Sequence, residues 1–354
     1  MNTLKYFAAY SLPLTFWIAL TNYGAWSYLP VIYAFGLIPF MEIFLPPDTR
    51  NLEKVQEELH KNDPVYDWIL YLIVPTQYLF LGWFLTTLAG TTLLLYEKLG
   101  LTMSMGVLCG SLGINVAHEL GHRSTSHERF LAKALLLTSL YMHFIIEHNR
   151  GHHKNVSTPD DPSSARLGEA VYTFWIRSIL WGYRSAWKIE TKRLEKKAVP
   201  FWSFRNEMLR FQAIQLGLLV VIYAGFGGQV LLWYLLAALM GILLLETVNY
   251  IEHYGLVREK TSSGHYERTR PVHSWNSNHI LGRLMLFELS RHSDHHYLAS
   301  RKYQILRHHE ESPQMPTGYP GMMLLSLIPP LWFYIMNNKI KISRGRLSPI
   351  LKDD

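Results

Sequence analysis

Long apolar stretches separated by polar segments dominate the chain and predict membrane-spanning helices. A helix needs about 20 predominantly apolar residues to cross the hydrocarbon core of a bilayer. Six stretches approach that length: Tyr6–Asn22, Trp26–Leu45, Trp68–Leu88, Leu99–Ala117, Phe211–Gly227 and Val230–Tyr250. Two more, Phe130–Ile146 and Pro320–Met336, are borderline. The pattern predicts an all-α, polytopic membrane protein with six transmembrane helices, forming a single domain over residues 1–354.

The charges of the connecting segments predict how these helices are oriented. Segments 22–26 and 226–229 contain no Lys or Arg, whereas 46–67 and 123–210 are cationic. Because cationic loops stay in the cytoplasm, the N-terminus and the polar portions 118–210 and 251–354 are predicted to be cytoplasmic. A signal peptide is the alternative for residues 6–22. Only Lys5 precedes that stretch and no convincing cleavage site follows, which favours a retained helix.

The composition supports a membrane protein and excludes several other classes. Only 17% of the 354 residues are charged, against about 25% in a typical soluble protein. The formal net charge of +7 is explained by cytoplasmic loops, so nucleic-acid binding is not expected. The single cysteine, Cys109, excludes an internal disulfide framework, a zinc ribbon and a fused rubredoxin. Histidine is in excess, with 17 residues.

Nine of these histidines lie in four short segments that predict a metal site. The segments are His118-Glu-Leu-Gly-His122, His148-Asn-Arg-Gly-His152-His153, Asn249-Tyr-Ile-Glu-His253 and His292-Ser-Asp-His295-His296. Histidines four residues apart share a helix face, whereas adjacent ones point about 100° apart, so a His-His pair suits two neighbouring ions. Nine imidazoles are too many for one ion and enough for two. Imidazole binds iron, zinc, copper and nickel, and the number of histidines does not choose among them.

A joint site would constrain the fold and the remaining histidines. If Phe130–Ile146 crossed the membrane, the second histidine segment would emerge about 30 Å from the first. We therefore expect this helix on the cytoplasmic side or in the interface. The eight other histidines are expected to be structural, and His273 and His279 are the best candidates for an exception because they precede His292 on the same segment.

Two other classes of protein are alternatives at this point. The first histidine segment matches the HExxH signature of zinc proteases, in which Glu119 would be the general base, but this leaves seven clustered histidines unexplained. A metal transporter or sensor could also use histidines. It would place polar residues at mid-bilayer rather than nine histidines at one face of the membrane.

The histidine segments and two further motifs resemble the integral-membrane alkane 1-monooxygenases (alkane omega-hydroxylases) of the fatty acid desaturase-like diiron superfamily. The further motifs are Thr158-Pro-Asp-Asp-Pro-Ser-Ser and Ser274-Trp-Asn-Ser-Asn-His, and the third histidine segment continues as Asn249-Tyr-Ile-Glu-His-Tyr-Gly-Leu. The similarity extends from about residue 118 to residue 319. Simple desaturases usually carry HxxHH where this chain has HxxxHH. Arg123 and Ser290 depart from the common family residues Lys and Gln, and neither is one of the nine histidines.

The resemblance implies a cofactor, a reaction and partners. Two irons would be held by the nine histidines, with O2 as co-substrate and reduced rubredoxin as the electron donor, which a rubredoxin reductase supplies. The reaction would convert a medium-chain n-alkane into a 1-alkanol. A xylene side chain and a fatty acyl group are the alternative substrates. The implied location is the bacterial inner membrane, with the active site on the cytoplasmic side.

Several carboxylates are predicted to support the metal site. Four adjoin the histidines in sequence and could each accept a hydrogen bond from a far ring nitrogen, with salt bridges as the alternative role: Glu119, Glu147, Glu252 and Asp294. Glu246 lies two helical turns before His253, on the same face, and an ionisable group at that depth is costly unless it is functional. We expect Glu246 and Asn249 to approach the metal site directly or through water.

The substrate and the donor each need a surface of their own. An alkane has no polar group, so an apolar tunnel must recognise it. Helical phase predicts the lining, with ordinary helix packing as the alternative: Val107, Ser111, Ile114, Ile242 and Leu245, with Trp17, Trp26 and Phe80 at the lipid end. Rubredoxins are generally acidic, so a cationic surface should bind the donor. One candidate surface is residues 258–270. The other is a cationic run formed by Arg184, Lys188, Lys192, Arg193, Lys196 and Lys197. Lipid headgroups are an equally good partner for this run.

Overall fold

The protein is built almost entirely from helices. The computed structural model describes residues 3–347, with side chains described to residue 342, and this part contains no β-strand, only two isolated bridges. The all-α prediction is confirmed. Helices in the first part of the chain are α1 (Ser11–Asn22), α2 (Leu29–Ile32), α3 (Ile38–Glu42), α4 (Lys54–Asn62), α5 (Pro64–Gly90), α6 (Leu95–Leu108), α7 (Asn115–Gly121) and α8 (Ser126–Leu137).

The second part of the chain holds most of the polar elements. Its helices are α9 (Phe144–Glu147), α10 (His153–Asn155), α11 (Val171–Lys196), α12 (Glu207–His253), α13 (Ile280–Met285), α14 (His292–Tyr297), α15 (Tyr319–Ser326) and α16 (Pro329–Leu347). Short 3-10 segments lie at Thr3–Tyr10, Gly24–Tyr28, Pro271–His273 and Tyr303–Ile305. Wider π-helical turns lie at Tyr33–Leu37, Cys109–Ile114 and His148–His152.

Four continuous helical stretches of the described chain are long and apolar enough to cross a membrane: Gly24–Glu42, Pro64–Gly90, Leu95–Gly121 and Glu207–His253. Pro64–Gly90 and Leu95–Gly121 each contain one predicted span, whereas Gly24–Glu42 overlaps the predicted span Trp26–Leu45 and ends three residues before that span does. The fourth contains two predicted spans, one on each side of Gly227, where a φ of 81° breaks the helix. Several apolar helices thus make this a multi-pass membrane protein, while the number of six spans stays a prediction.

Two further apolar stretches are less regular. Residues 6–22 lie near the N-terminus, and residues 130–146 precede the second histidine segment. Residues 6–22 form a 3-10 segment followed by α1 and do not give one continuous candidate span. Residues 130–146 contain the end of α8, a turn in which Leu140 has a φ of 54°, and α9. Residues 130–146 therefore do not form one continuous helix. This agrees with the expectation that they do not cross the membrane, which a shared histidine site requires.

Small residues bring α12 unusually close to α6 and the π-helical turn that follows it. A Cβ atom added to Gly106 would lie 2.5 Å from the Met240 side chain, and one added to Gly241 would lie 2.6 Å from Cys109 Cβ. Only glycine permits this backbone approach, which is a common packing device between membrane helices. It fixes the end of α7, which carries His118, beside the end of α12, which carries His253.

Helix α11 contacts both ends of the broken helix α12. Near the N-terminus of α11, Trp175 Nε1 donates to Thr247 Oγ1 at 3.0 Å. Near its C-terminus, Glu190 Oε1 accepts a hydrogen bond from the Glu207 backbone N–H at 2.7 Å. Helix α11 therefore runs across the side of the bundle where the histidines lie.

Candidate metal centre

The structure gathers the nine clustered histidines into two adjacent groups. In each group, one ring nitrogen of every member lies within 4.8 Å of those of all the others. The five-histidine group consists of His118, His122, His148, His153 and His295. The four-histidine group consists of His152, His253, His292 and His296. His153 and His296 stack with ring centroids 4.4 Å apart, so the two groups adjoin.

Nitrogen atoms face each other throughout the five-histidine group. His295 Nε2 lies 2.9 Å from His118 Nε2 and 3.1 Å from His153 Nε2. His148 Nε2 lies 3.0 Å from His153 Nε2 and 3.1 Å from His122 Nε2. Two nitrogens that are each about 2.1 Å from one ion, at right angles, are about 3.0 Å apart.

Hydrogen bonding among the rings cannot account for this arrangement. A neutral ring nitrogen carries either one hydrogen or one lone pair, so it can satisfy one neighbour only, whereas the Nε2 atoms of His148 and His295 each face two. Burial lowers the pKa of His148, His153 and His295, which keeps their imidazoles neutral. Five lone pairs directed at one point fit a cation, and the donor set fits a transition metal.

The four-histidine group has the same character and an additional carboxylate. His152 Nε2 lies 3.2 Å from His296 Nε2. His292 Nε2 lies 3.1 Å from His253 Nε2 and also 3.1 Å from Glu252 Oε2. The other oxygen of Glu252 accepts a hydrogen bond from the Tyr319 hydroxyl at 2.8 Å. Glu252 therefore faces the converging nitrogens rather than a far ring nitrogen.

A π-helical turn directs His148 and His153 into the five-histidine group and His152 into the four-histidine group. In an α-helix, His148 and His152 would share a face, because residues four apart do so. The turn His148–His152 is instead π-helical, with about one more residue per turn, and brings His148 next to His153. His152 then points into the other group.

The other segments reach their groups by ordinary helix geometry. His118 and His122 are four apart at the end of α7 and both enter the five-histidine group. His292 and His296 are four apart on α14 and both enter the four-histidine group, whereas His295 points into the other one.

One carboxylate orients a clustered histidine from behind, and the sequence reading did not single it out. Asp161 Oδ2 lies 2.8 Å from His152 Nδ1, and Ser164 donates to the same oxygen at 2.6 Å. Both Asp161 and His152 are buried. Burial alone would lower the pKa of His152, but the Asp161 carboxylate outweighs this effect and raises that pKa. The signal was present, since Asp161 lies in the motif Thr158-Pro-Asp-Asp-Pro, but no helical spacing connects it with His152.

The other predicted carboxylates make different contacts. Glu119 pairs with Arg123 at 2.7 Å, and Glu147 lies 3.4 Å from the Ser185 hydroxyl. Asp294 pairs with Arg301 at 2.8 Å and also accepts from a histidine outside the two groups. The expected hydrogen bond to a far ring nitrogen does not occur for these three within residues 3–342. In the same part of the chain, the far nitrogens of His292 and His296 have no hydrogen-bond partner.

Glu246 and Asn249 form a buried polar cluster beside the two groups. The Glu246 carboxylate accepts hydrogen bonds from the Tyr141 hydroxyl at 2.8 Å and the Ser178 hydroxyl at 2.5 Å. The Asn249 side-chain amide donates to it at 3.3 Å. Glu246 is 2% exposed, so these three donors replace the water that an ionisable group would otherwise need.

His273 and His279 lie outside the two groups. His273 Nε2 is 3.2 Å from Glu267, and its Nδ1 accepts from the Arg270 backbone N–H at 3.0 Å. His279 Nδ1 lies 3.0 Å from the Ser277 hydroxyl. Glu119, the glutamate of the HExxH match, pairs with Arg123 at 2.7 Å and accepts a hydrogen bond from the Tyr303 backbone N–H at 3.1 Å.

A narrow apolar cavity of about 60 Å³ lies between α1, α3, α12 and the π-helical turn Cys109–Ile114. Ser111, Leu245, Asn115 and Leu289 are among the residues that line it. The remaining predicted lining residues do not line this cavity: Val107, Ile114, Ile242, Trp17, Trp26 and Phe80. Trp17 and Trp26 are exposed on the outer surface, and Val107, Ile114 and Phe80 are packed in the core. Sequence reasoning missed Phe35 and Met323, which also line it.

A cationic groove opens beside the second histidine segment. Gly151 and Lys154 form one wall, and α11 forms the other. Part of the predicted docking run lies in this groove: Lys188, Lys192, Arg193 and Lys196. Arg150 adds a further cation, and Lys197 lines a separate pocket.

Comparison with known proteins identifies the family. Residues 98–326 match the model of the family described as fatty acid desaturase. Alkane 1-monooxygenase 1 of Pseudomonas aeruginosa is 40% identical over 94% of this chain and 88% of its own length. Alkane 1-monooxygenase of Pseudomonas putida is 40% identical over 94% of this chain and 83% of its own length. The xylene/toluene monooxygenase hydroxylase component of Pseudomonas putida is 28% identical over 95% of this chain and 88% of its own length.

All six histidine and polar motifs lie within this shared region, and the two histidine groups assemble from them. The chain belongs to the alkane 1-monooxygenase family, within the fatty acid desaturase-like superfamily.

Proposed function

We propose that this enzyme hydroxylates the terminal methyl group of medium-chain n-alkanes at a non-haem diiron centre. The observation that carries the proposal is the convergence of nine imidazoles, seven of them buried, into two adjacent groups. The five-histidine group would hold one iron. The four-histidine group would hold the other, with Glu252 as a further oxygen donor. This set accounts for every histidine in the four segments.

The bound irons would supply the activation of dioxygen and the cleavage of a strong C–H bond. The overall reaction converts R–CH3, O2, two electrons and two protons into R–CH2OH and water. The chain's own residues hold the imidazoles, keep the site dry and admit the substrate at one end. Asp161 fixes the tautomer of His152 by accepting the hydrogen bond from Nδ1, so that Nε2 presents its lone pair.

The cavity supports an apolar substrate, because its lining is almost wholly apolar. A hydrocarbon chain lying in it would contact Leu12, Ala34 and Ile38. The hydrophobic contact available to each CH2 group, about 0.8 kcal/mol, would select chain length.

A separate rubredoxin is proposed as the electron donor. The chain has one cysteine and cannot hold an iron–sulfur site of its own. The cationic groove between Gly151 and α11 supports docking of an acidic donor there, because Gly151 adjoins His152 in the chain. Electrons would then have a short path to both groups through His152 and His153.

The same features support the proposed location. The groove and the histidine groups lie on one side of the bundle, and the cationic loops of that side favour the cytoplasm. In a bacterium, the enzyme would then lie in the inner membrane, with its active site facing soluble rubredoxin and its reductase.

The decisive assay is turnover of purified protein in bilayer nanodiscs with octane, reduced rubredoxin and isotopically labelled dioxygen. We expect 1-octanol that carries one labelled oxygen atom, with oxygen uptake that depends on rubredoxin. Xylene is the matched second substrate, because one relative is named for it. Oxidation of xylene without oxidation of octane, peptide cleavage, or metal flux without oxygen uptake would each overturn the proposal.

A further inference from the structure

An exposed aromatic loop joins α11 to α12. This aromatic loop, residues 197–206, presents Trp202 with 83% and Phe204 with 95% of their surface exposed. Large aromatic side chains that are this exposed to water lack the stabilisation that burial of their apolar surface would give, about 25 cal/mol per Å². The interface of a bilayer is the environment in which such rings are enriched.

The aromatic loop is held in place by its own hydrogen bonds. The Asn206 side-chain amide donates to the Phe201 carbonyl at 3.1 Å, and its oxygen caps α12 at Leu209 N–H. Arg193 donates to the Arg205 carbonyl at 2.7 Å. The exposure of the two rings is therefore a built feature of the loop.

The loop also carries two cations that lack carboxylate partners. Arg193 pairs with Glu190, and Arg210 with Glu207. Among residues 3–342, Lys197 and Arg205 form no ion pair. Lys197, Arg205 and the Phe204 ring line one open pocket, so positive charge and an apolar ring face the same space.

The loop lies at a membrane boundary because α12, a candidate span, begins at Glu207, directly after it. Helix α11 continues the same surface. Its inward face meets α12 through Phe174 and Ser178, and the opposite face exposes Ile176 and Leu180. Continuity with a membrane-spanning element and uncompensated positive charge identify the partner as lipid with a negative headgroup.

We propose that Lys197 and Arg205 bind the headgroup of an anionic phospholipid while Trp202 and Phe204 contact its upper acyl chains. The site would anchor α11 in the plane of the membrane. Helix α11 forms one wall of the cationic groove. Lipid bound at the aromatic loop would therefore also fix the distance between that groove and the bilayer surface. This inference does not depend on the reaction proposed above.

The test measures which lipid the protein retains. The protein is equilibrated in nanodiscs of mixed phosphatidylglycerol and phosphatidylcholine, extracted in mild detergent, and the bound lipids are quantified by native mass spectrometry. We expect wild-type protein to be enriched in phosphatidylglycerol. K197Q/R205Q should lose that enrichment by about 30-fold, because each of the two cations near an anionic surface is worth about 1 kcal/mol. The matched control K260Q/R268Q removes two exposed cations elsewhere and should leave the enrichment unchanged.

Three results would overturn the proposal. The first is equal enrichment in K197Q/R205Q and in wild-type protein. The second is displacement of the lipid by inorganic phosphate alone, which would make this a site for free anions. The third is weaker binding of rubredoxin by K197Q/R205Q with unchanged lipid enrichment, which would make it a donor surface.

A second measurement locates the loop without depending on lipid retention. Cys109 is the only cysteine and is completely buried, so F204C can be labelled selectively with a nitroxide. In nanodiscs we expect the label to collide more often with oxygen than with a water-soluble nickel chelate, and a label at K260C to show the reverse. A label at position 204 that is as accessible to the chelate as one at position 260 would refute insertion.

Discussion

At the scale of single residues, each histidine group can be tested by removing one member. With Glu252 counted as an oxygen donor, His122→Ala and His253→Ala each leave four donors in their group. We expect each variant to lose iron relative to wild-type protein, measured as iron per chain by plasma mass spectrometry. His279→Ala is the control, because His279 contacts Ser277 outside both groups and should retain full iron content. Full iron content in both ligand variants would contradict the assignment of the groups.

Asp161 allows a test of orientation separate from ligation. Its carboxylate holds His152 Nδ1 at 2.8 Å, and loss of such a partner typically weakens metal affinity by about 10- to 100-fold. We expect Asp161→Asn to weaken iron binding by that factor in competition with a chelator, while Asp160→Asn, at the exposed neighbouring position, has no effect. Equal affinities in the two variants would show that Asp161 has only a structural role.

The identity of the clustered histidines was the part of the site that the sequence predicted best. The nine histidines could be selected because they cluster, and the structure brings all nine together. The partners of the carboxylates could not be predicted, because they depend on chain segments distant in sequence. Glu119 meets the Tyr303 backbone, and Glu252 meets Tyr319.

At the scale of elements, the π-helical turn at His148–His152 is the decisive local structure. Sequence spacing alone would pair His148 with His152, as in an α-helix. The wider turn is stabilised by tertiary packing, since Gly151 lies against Glu147 and against Ile189 of α11. This is why the division of the histidines into five and four could not be read from the pattern.

The packing of this turn gives a prediction about stability. A Cβ atom at Gly151 would lie 2.5 Å from Glu147 Oε1 and 3.1 Å from Ile189, so Gly151→Ala should lower the free energy of unfolding by about 1–3 kcal/mol. Gly182, inside α11, has no atom within 4 Å of such a Cβ, and Gly182→Ala should be stabilising by up to about 1 kcal/mol. Thermal unfolding in detergent measures both. The account of the turn fails if Gly151→Ala is as stable as wild-type protein.

Helix boundaries in the membrane were predictable where the apolar pattern was continuous. The predicted spans 68–88 and 99–117 lie within Pro64–Gly90 and Leu95–Gly121. Residues 6–22 are as apolar, but Pro13 and local contacts divide them between a 3-10 segment and α1. Hydropathy does not report such breaks in a helix.

At the scale of the whole molecule, the apolar cavity between α1, α3, α12 and the π-helical turn Cys109–Ile114 is the proposed alkane site. Ser111 lines it, so Ser111→Leu adds bulk where an alkane chain would lie. We expect the longest n-alkane oxidised efficiently to become shorter, with overpacking of about 1–3 kcal/mol felt only by long chains. The product profile over a homologous series of n-alkanes measures this.

The control for the cavity is a tryptophan on the outer surface. Trp17 is exposed and does not line the cavity, so Trp17→Leu should keep the wild-type profile. A profile that changes for Trp17→Leu but not for Ser111→Leu would place the substrate path on the other face of α1.

The central claim is that one chain holds two irons in two different histidine environments. Mössbauer spectroscopy of protein loaded anaerobically with isotopically enriched iron, together with the metal-to-chain ratio, tests this most directly. We predict two high-spin ferrous ions per chain with resolvable quadrupole doublets, one for the five-histidine group and one for the four-histidine group. A single iron per chain, or zinc that iron does not displace, would contradict the claim.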